Sequence, residues 1–429
     1  VAGRSIQPRR KGRGSGRARE RLTRGIKDAM AGPPPPPSTR EHTGAGAPVA
    51  SLAQIARAWS WIGITGFGGP PAHIALLRRL VVDREGWMDA REFEDANAAC
   101  GLLPGPASTQ LAIFCAYRVG GIAGAIVGGL GFIVPAVVLI LALSLVFLAH
   151  APPLWIRGAG AGAGAAVAAV AVAAARGLLG PSFGRVREDR GRRARWFAYL
   201  AAAIAAAALI GPYLVLVLLA CGLLELLLQR RPTGLAAIHW APLSALASGV
   251  ARSGALGSLA WTAFKVGALS FGGGFVIIPL MQGDAVHTYH WMSNAQFLNA
   301  VALGQITPGP VVATVAAVGY AAHGLLGGVL AALVAFSPSF SFIILGGSRF
   351  ERLRGNPNAR AFLDGAGPAA IGAILGAAIT LALALGEAWQ FGLLAAAAVA
   401  LLLLRRGVVQ TLLGAAAVGV IAVLAGATP

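Results

Sequence analysis

Negative charge is what this chain has least of: 16 Asp and Glu stand against 35 Lys and Arg in 429 residues. Charges of both signs make up 12% of the chain, about half the share usual in soluble domains. Cysteine is nearly absent. Cys100, Cys115 and Cys221 are odd in number and scattered through apolar surroundings, which excludes a disulfide framework and a metal knuckle. There is no P-loop, no dinucleotide fingerprint in a strand–helix setting and no Ser-His-Asp series. An ATP-driven pump and an enzyme are therefore disfavoured, and no cofactor or metal is expected. Aromatic residues are missing from the first 48 residues, which hold eleven Lys or Arg against Glu20, Asp28 and Glu41. Without rings to stack on bases, this basic stretch does not read as a nucleic-acid binder. It also lacks the apolar core of a signal peptide. With Pro33 to Pro37 in a row, residues 1–50 read as a disordered cytoplasmic tail, with attraction to anionic lipid as the functional alternative.

What the chain has in abundance is apolar residues. They reach 56%, and the mean hydropathy is +0.71. This composition predicts an all-α polytopic membrane protein with about 10 to 13 membrane helices and the lipid bilayer as its partner. Alanine and glycine dominate the apolar runs, and small residues let helices approach where lipid supplies no hydrophobic drive. The run from Gly158 to Gly164 reads as a packing face.

The chain repeats itself. Phe67 and Phe271, Trp87 and Trp291, Phe93 and Phe297, and Pro104 and Pro308 all lie 204 residues apart. Tyr117 and Tyr320, Gly121 and Gly324, and Pro135 and Pro338 lie 203 apart, so one residue is lost after the PGP triplet. Two homologous halves follow, at 51–230 and 259–429, joined by a connector at 231–258. Basic residues distribute unequally between them: Arg78 to Arg91 holds four arginines, its counterpart at 282–295 none, and the bias reverses near Arg349 to Arg360. Positive charge marks the cytoplasmic side, so equivalent loops face opposite sides. The expectation is an inverted-topology repeat with broken or re-entrant helices, an N-terminus in the cytoplasm and a C-terminus outside.

Each half breaks its helices twice, at FGG (Phe67, Gly68, Gly69; Phe271, Gly272, Gly273) and at PGP (Pro104, Gly105, Pro106; Pro308, Gly309, Pro310). Either motif alone reads equally as a simple kink. Irregular backbone inside a bilayer survives only where protein or a watery cavity satisfies it, and matched breaks suit a ligand site better. Proline wastes no N–H at a first helical turn, and half-helix N-termini present donors and positive dipole ends to an anion. Ser108, Thr109, Thr307 and Thr314 add hydroxyls, and Gln305 an amide. Lys265 and Arg118 are the charges placed to neutralise an anion, although Arg118 reads equally as a residue reaching for the interface. His73 is a weaker proton-relay candidate. Asp284, His287 and His290 have no matching set in the first half and read as a solvated segment rather than a metal site. Glu225 reads as interfacial.

The stretches FGGPPAHIALLRRLVVDREGWMDAREF, LLPGPASTQLAIFCAYRVGG, FGGGFVIIPL and GQITPGPVVATVAAVGYAAHG resemble the chromate transporter (CHR) family in its long, two-domain form. The resemblance covers nearly all of residues 51–429. It implies a multi-pass protein of the bacterial plasma membrane that exports chromate and confers chromate resistance, with sulfate as a further ligand and a homodimer compatible with it. One departure is Gln305, whose first-half counterpart is Gly101. Uptake of sulfate or another oxyanion by cation coupling is the rival reading. A dianion leaving a cell at 100 mV, negative inside, gains about 4.6 kcal/mol, so export needs no ATP.

Overall fold

The computed structural model describes residues 50–101, 103, 105–149, 151–209, 214–229, 254–270, 275–346 and 356–429. The tail therefore falls almost wholly outside the described residues, as does most of the connector. The described residues form fourteen α-helices and no strand. The first half contributes α1 (Leu52–Thr65), α2 (Pro70–Arg78), α3 (Ala90–Cys100), α4 (Ala107–Phe147), α5 (Leu154–Gly184), α6 (Arg190–Leu209) and α7 (Leu214–Gln229). The second contributes α8 (Ala255–Ala268), α9 (Ile277–Gln282), α10 (Asn294–Ile306), α11 (Thr314–Gly346), α12 (Pro357–Leu383), α13 (Ala388–Ala398) and α14 (Val408–Leu424). The two lists correspond helix for helix. Both α2 and α9 run on into a π-helical turn, at Arg79–Arg84 and Gly283–Thr288. Four helices, α4, α5, α11 (with the turn before it) and α12, are long and apolar enough to cross a bilayer, and α7, α13 with its π turn, and α14 are shorter apolar helices.

Helix starts follow local capping chemistry. Ser51 and Gln54 form a capping box at α1, Ser293 and Gln296 do the same at α10, and the Asp89 carboxylate accepts from the Glu92 N–H at α3. Two of the long helices are not straight. Gly121 has φ +63° and ψ −153°, and Gly324 has φ +60° and ψ −154°, values that only glycine adopts readily. Each reverses the chain. A Cβ placed on Gly129 would lie 3.0 Å from the Ile113 side chain, whereas sixteen residues of straight helix span about 24 Å. Thus α4 and α11 are helical hairpins, each with a short arm that starts at PGP and a long arm that follows the glycine.

The halves are interleaved rather than side by side. Helix α12 packs on α6 and α7 of the first half, and its counterpart α5 packs on α13 and α14 of the second. Like elements also meet, α4 with α11 and α5 with α12. Small residues make these crossings close, as the run at 158–164 predicts. A Cβ at Gly158 would sit 2.7 Å from the Gly419 carbonyl oxygen, and one at Gly160 2.7 Å from Asn299 Oδ1. On the reciprocal surface, a Cβ at Gly376 would lie 2.6 Å from that of Ala207.

Candidate anion site at the helix breaks

Three of the four breaks lie largely among the described residues, and they converge. Residues 66–69 separate α1 from α2. Gly68 and Gly69 hold φ of +102° and +72°, and Pro70 opens α2, where a missing N–H costs nothing. Gly105 holds φ +116°, and Pro106, in extended conformation, precedes the short arm of α4. Gly309 holds φ +95°, and Pro310 precedes a single 3-10 turn, Val311–Ala313, that leads into α11. The Gly309 N–H donates to the Gly66 carbonyl at 3.0 Å, so the second PGP is hydrogen-bonded to the first FGG segment. The contact is matched on the other side. A Cβ at Gly309 would face the Gly63 carbonyl at 3.5 Å, and one at Gly105 would face that of Gly267, the repeat equivalent of Gly63, at 3.3 Å.

Pro70, Pro106, Ala107, Ser108, Pro310, Val311 and Val312 line a cleft between the breaks. Its volume of about 10 Å³ is room for one water, so the arrangement is closed to a tetrahedral oxyanion. A larger cavity of about 400 Å³ lies between α13 and α14, but its walls, among them Ala397, Gln410 and Gly414, contain none of the FGG or PGP breaks. Helix starts and the Ser108 hydroxyl line the small cleft. The first N–H groups of a helix have no partner within it, and they sit here beside the Ser108 hydroxyl. Thr109, also buried, has a hydroxyl with no hydrogen-bond partner among the described residues.

His73 holds the first-half breaks together. Its fully buried ring places Nε2 2.9 Å from the Gly66 carbonyl and Nδ1 3.4 Å from Ser108 Oγ, with Phe132 meeting it edge-on. A nitrogen facing a carbonyl must carry the proton, so Nδ1 of the neutral ring accepts from the serine. The Gly66 carbonyl thus accepts from both His73 and Gly309. The sequence flags FGG but passes over the glycine just before it, which is the residue that joins the halves; its signal is the four-residue run GFGG.

The other expected site residues divide. Pro308, Thr307 and Gln305 are buried beside the second break. The Thr314 hydroxyl turns inward and donates to the Val311 carbonyl at 2.7 Å. Phe67 points outward, half exposed. Pro104, Phe271, Gly272 and Gly273 lie outside the described residues. Arg118 is engaged 2.5 Å from Glu92, close to the reversal at Gly121, and not at the breaks.

Lys265 is also engaged: Nζ lies 2.5 Å from Asp284 Oδ2, and the Thr262 hydroxyl donates to the same oxygen at 2.7 Å. This corrects the reading of Asp284 as part of a solvated segment, because the residue is only 2% exposed. A carboxylate can enter the interior here because a buried ammonium meets it, and that pairing is invisible in a linear count of charges. Burial pushes the Tyr289 phenol up from its ordinary range, and the Asp284 carboxylate adds to the effect. Among the described residues no cluster of three or more potential metal ligands occurs. Glu225 is likewise buried. It accepts from Arg195 at 2.7 and 2.9 Å, from Tyr199 at 2.9 Å and from Gln229 at 2.8 Å. Arg185, and Arg192 at the start of α6, reach Asp364 on α12, which also fastens one half to the other.

An all-α multi-pass protein whose two repeated halves interlock at broken helices has the build of a membrane transporter. The chain belongs to the chromate transporter family, whose profile matches residues 53–226 and 257–423. It is 33% identical over 405 residues to a chromate transport protein of Cupriavidus metallidurans, covering 92% of this chain and 98% of that one. It is 31% identical over 363 residues to a chromate transport protein of Pseudomonas aeruginosa, covering 81% and 85%. A probable chromate transport protein of Synechococcus elongatus is 30% identical over 347 residues, covering 78% and 85%. No solved structure matches.

Proposed function

We propose that the protein exports the chromate dianion from the cytoplasm by alternating access and thereby confers chromate resistance. The observation that carries this reading is the cross-half hydrogen bond from Gly309 to Gly66, beside a closed cleft lined by the helix starts that follow Pro106 and Pro310. A dianion seated between the PGP turns would receive the N–H groups of Ala107 and Ser108, the Ser108 hydroxyl, and the N–H groups of Val311 and Val312, the first to follow Pro106 and Pro310. Relative movement of the interleaved halves would open the cleft to one side and then the other. Family membership supports chromate as the substrate, and the membrane potential supports the outward direction.

Expected results are specific. Pro106→Ala and Pro310→Ala each let the first turn shift and misalign donors whose charge-assisted bonds are worth about 1.5–3 kcal/mol. Chromate accumulation in everted vesicles should fall by about ten- to a hundredfold at unchanged protein abundance. Wild-type accumulation by both variants would remove the site from the breaks. Sulfate competition in the same vesicles, with and without an imposed cation gradient, separates export from cation-coupled oxyanion uptake.

In this reading the halves at 51–230 and 259–429 are inverted in the bacterial plasma membrane, with the N-terminus in the cytoplasm. Single cysteines at Arg91 and Ala295, in an otherwise cysteine-free chain, should then react with an impermeant thiol reagent from opposite sides. Labelling of both from the same side rules out the inversion.

A further inference from the structure

The ion pair of Lys265 and Asp284 belongs to one half only. The equivalent first-half positions are Trp61 and Leu80, so the fold builds these elements without charge. Side-chain exposure is 14% for the lysine and 4% for the aspartate, and the Trp261 ring lies 5.9 Å from the ammonium. A buried ion pair is a weak stabiliser compared with apolar packing, and charges within a membrane protein usually serve its ligand pathway. The position of the pair points the same way. Lys265 lies in the last turn of α8, the helix that leads into the second FGG break. Asp284 lies on the turn after α9, so the second FGG runs between the two partners in sequence.

We propose that Lys265 and Asp284 form a proton-coupling site: the bound oxyanion takes Lys265 as its counter-charge, and Asp284, left buried without a cation, takes up one proton from water. The inference rests on the anion-transport reading above. In the resting pair, ammonium and carboxylate cancel. When the dianion claims the ammonium, the carboxylate becomes a carboxylic acid. No bond to the oxyanion forms, and on its release the proton departs and the pair closes again. Binding linkage is reciprocal, so acid must tighten oxyanion binding.

Few other groups compete for this role. Helices α9 and α10 contain no ionisable side chain, and α8 contains only Lys265. Helix α11, which packs against α8, brings Tyr320 and His323, and helices α7 and α12, which pack against α9, bring Cys221, Glu225, Arg360 and Asp364; Glu225 and Asp364 are held by arginines. On the turn of Asp284 itself lie His287, Tyr289 and His290.

The test is equilibrium dialysis of chromate against purified protein in lipid nanodiscs, between about pH 8 and about pH 10, where ordinary histidines are neutral and chromate is almost wholly the dianion. The wild-type Kd should rise with pH by up to about tenfold per unit, the signature of one linked proton. Asp284→Asn should bind chromate with a flat pH profile, Lys265→Gln should bind weakly throughout, and His287→Gln with His290→Gln should keep the wild-type slope. Should Asp284→Asn fail to fold, Lys265→Trp with Asp284→Leu, which restores the first-half residues, should also show no slope. A flat wild-type profile, or a wild-type slope in Asp284→Asn, overturns the inference while leaving chromate binding intact. Absence of chromate binding by the wild-type protein at every pH overturns the transport reading, and this inference with it.

Discussion

Gly309→Ala is expected to reduce chromate transport to background and to destabilise the protein by roughly 2–4 kcal/mol. Two effects add at this position. The backbone holds φ +95°, where a side chain is strained, and the new Cβ would lie 2.7 Å from the Cβ of Ala136, well inside normal contact. The neighbouring atoms are rigid, so relief requires the second PGP turn to move, and moving it breaks the bond from the Gly309 N–H to the Gly66 carbonyl. Adding Ala136→Gly should recover the steric part and leave the backbone strain, so rescue should be partial. Gly105→Ala provides the contrast. There the Cβ meets the amide end of Gln110 at 2.6 Å, a group that can swing aside, and the loss should be smaller. Thermal unfolding of detergent-solubilised protein alongside vesicle transport checks both. Wild-type stability and transport in Gly309→Ala would show that the halves do not depend on this contact.

The second large effect concerns the ion pair. Lys265→Ala leaves a carboxylate buried without its cation and should cost about 3–5 kcal/mol. Asp284→Leu strands the ammonium and should do much the same. The double variant Lys265→Trp with Asp284→Leu should return close to wild-type stability, because the same positions of the first half already carry Trp61 and Leu80 in the same fold. A double-mutant cycle on unfolding free energies measures this coupling directly. Additive losses below about 1 kcal/mol would mean that the pair behaves as a surface bridge. Stability and function should then separate: the double variant folds yet loses the pH-linked binding expected of the native pair.

Much of the plan was legible in the residues because a duplication writes itself twice. A glycine that must hold a positive φ cannot drift without strain, so Gly121 and Gly324 remain in register as the reversal points of two hairpins. Proline at a helix start is similarly constrained, and the PGP triplets mark where α4 begins and where the chain turns toward α11. The alternating glycines at 158–164 announced a close helix crossing, because each lacks the atom that would keep two backbones apart. What could not be read was partnership. Arg118, Glu225 and Asp284 give no sign of their partners in the sequence, because Glu92, Arg195 and Lys265, which meet them, lie 26, 30 and 19 residues away in the chain.

The sequence by itself determined an α-helical membrane protein, its internal repeat and the positions where helices must break. Backbone chemistry and composition act locally and leave their mark in every short stretch. Only the tertiary structure decided that the halves interleave, that Gly66 rather than Phe67 joins them, and that Lys265 is held by Asp284. Those outcomes depend on which surfaces meet, and a pairing energy between residues far apart in the chain has no local signature.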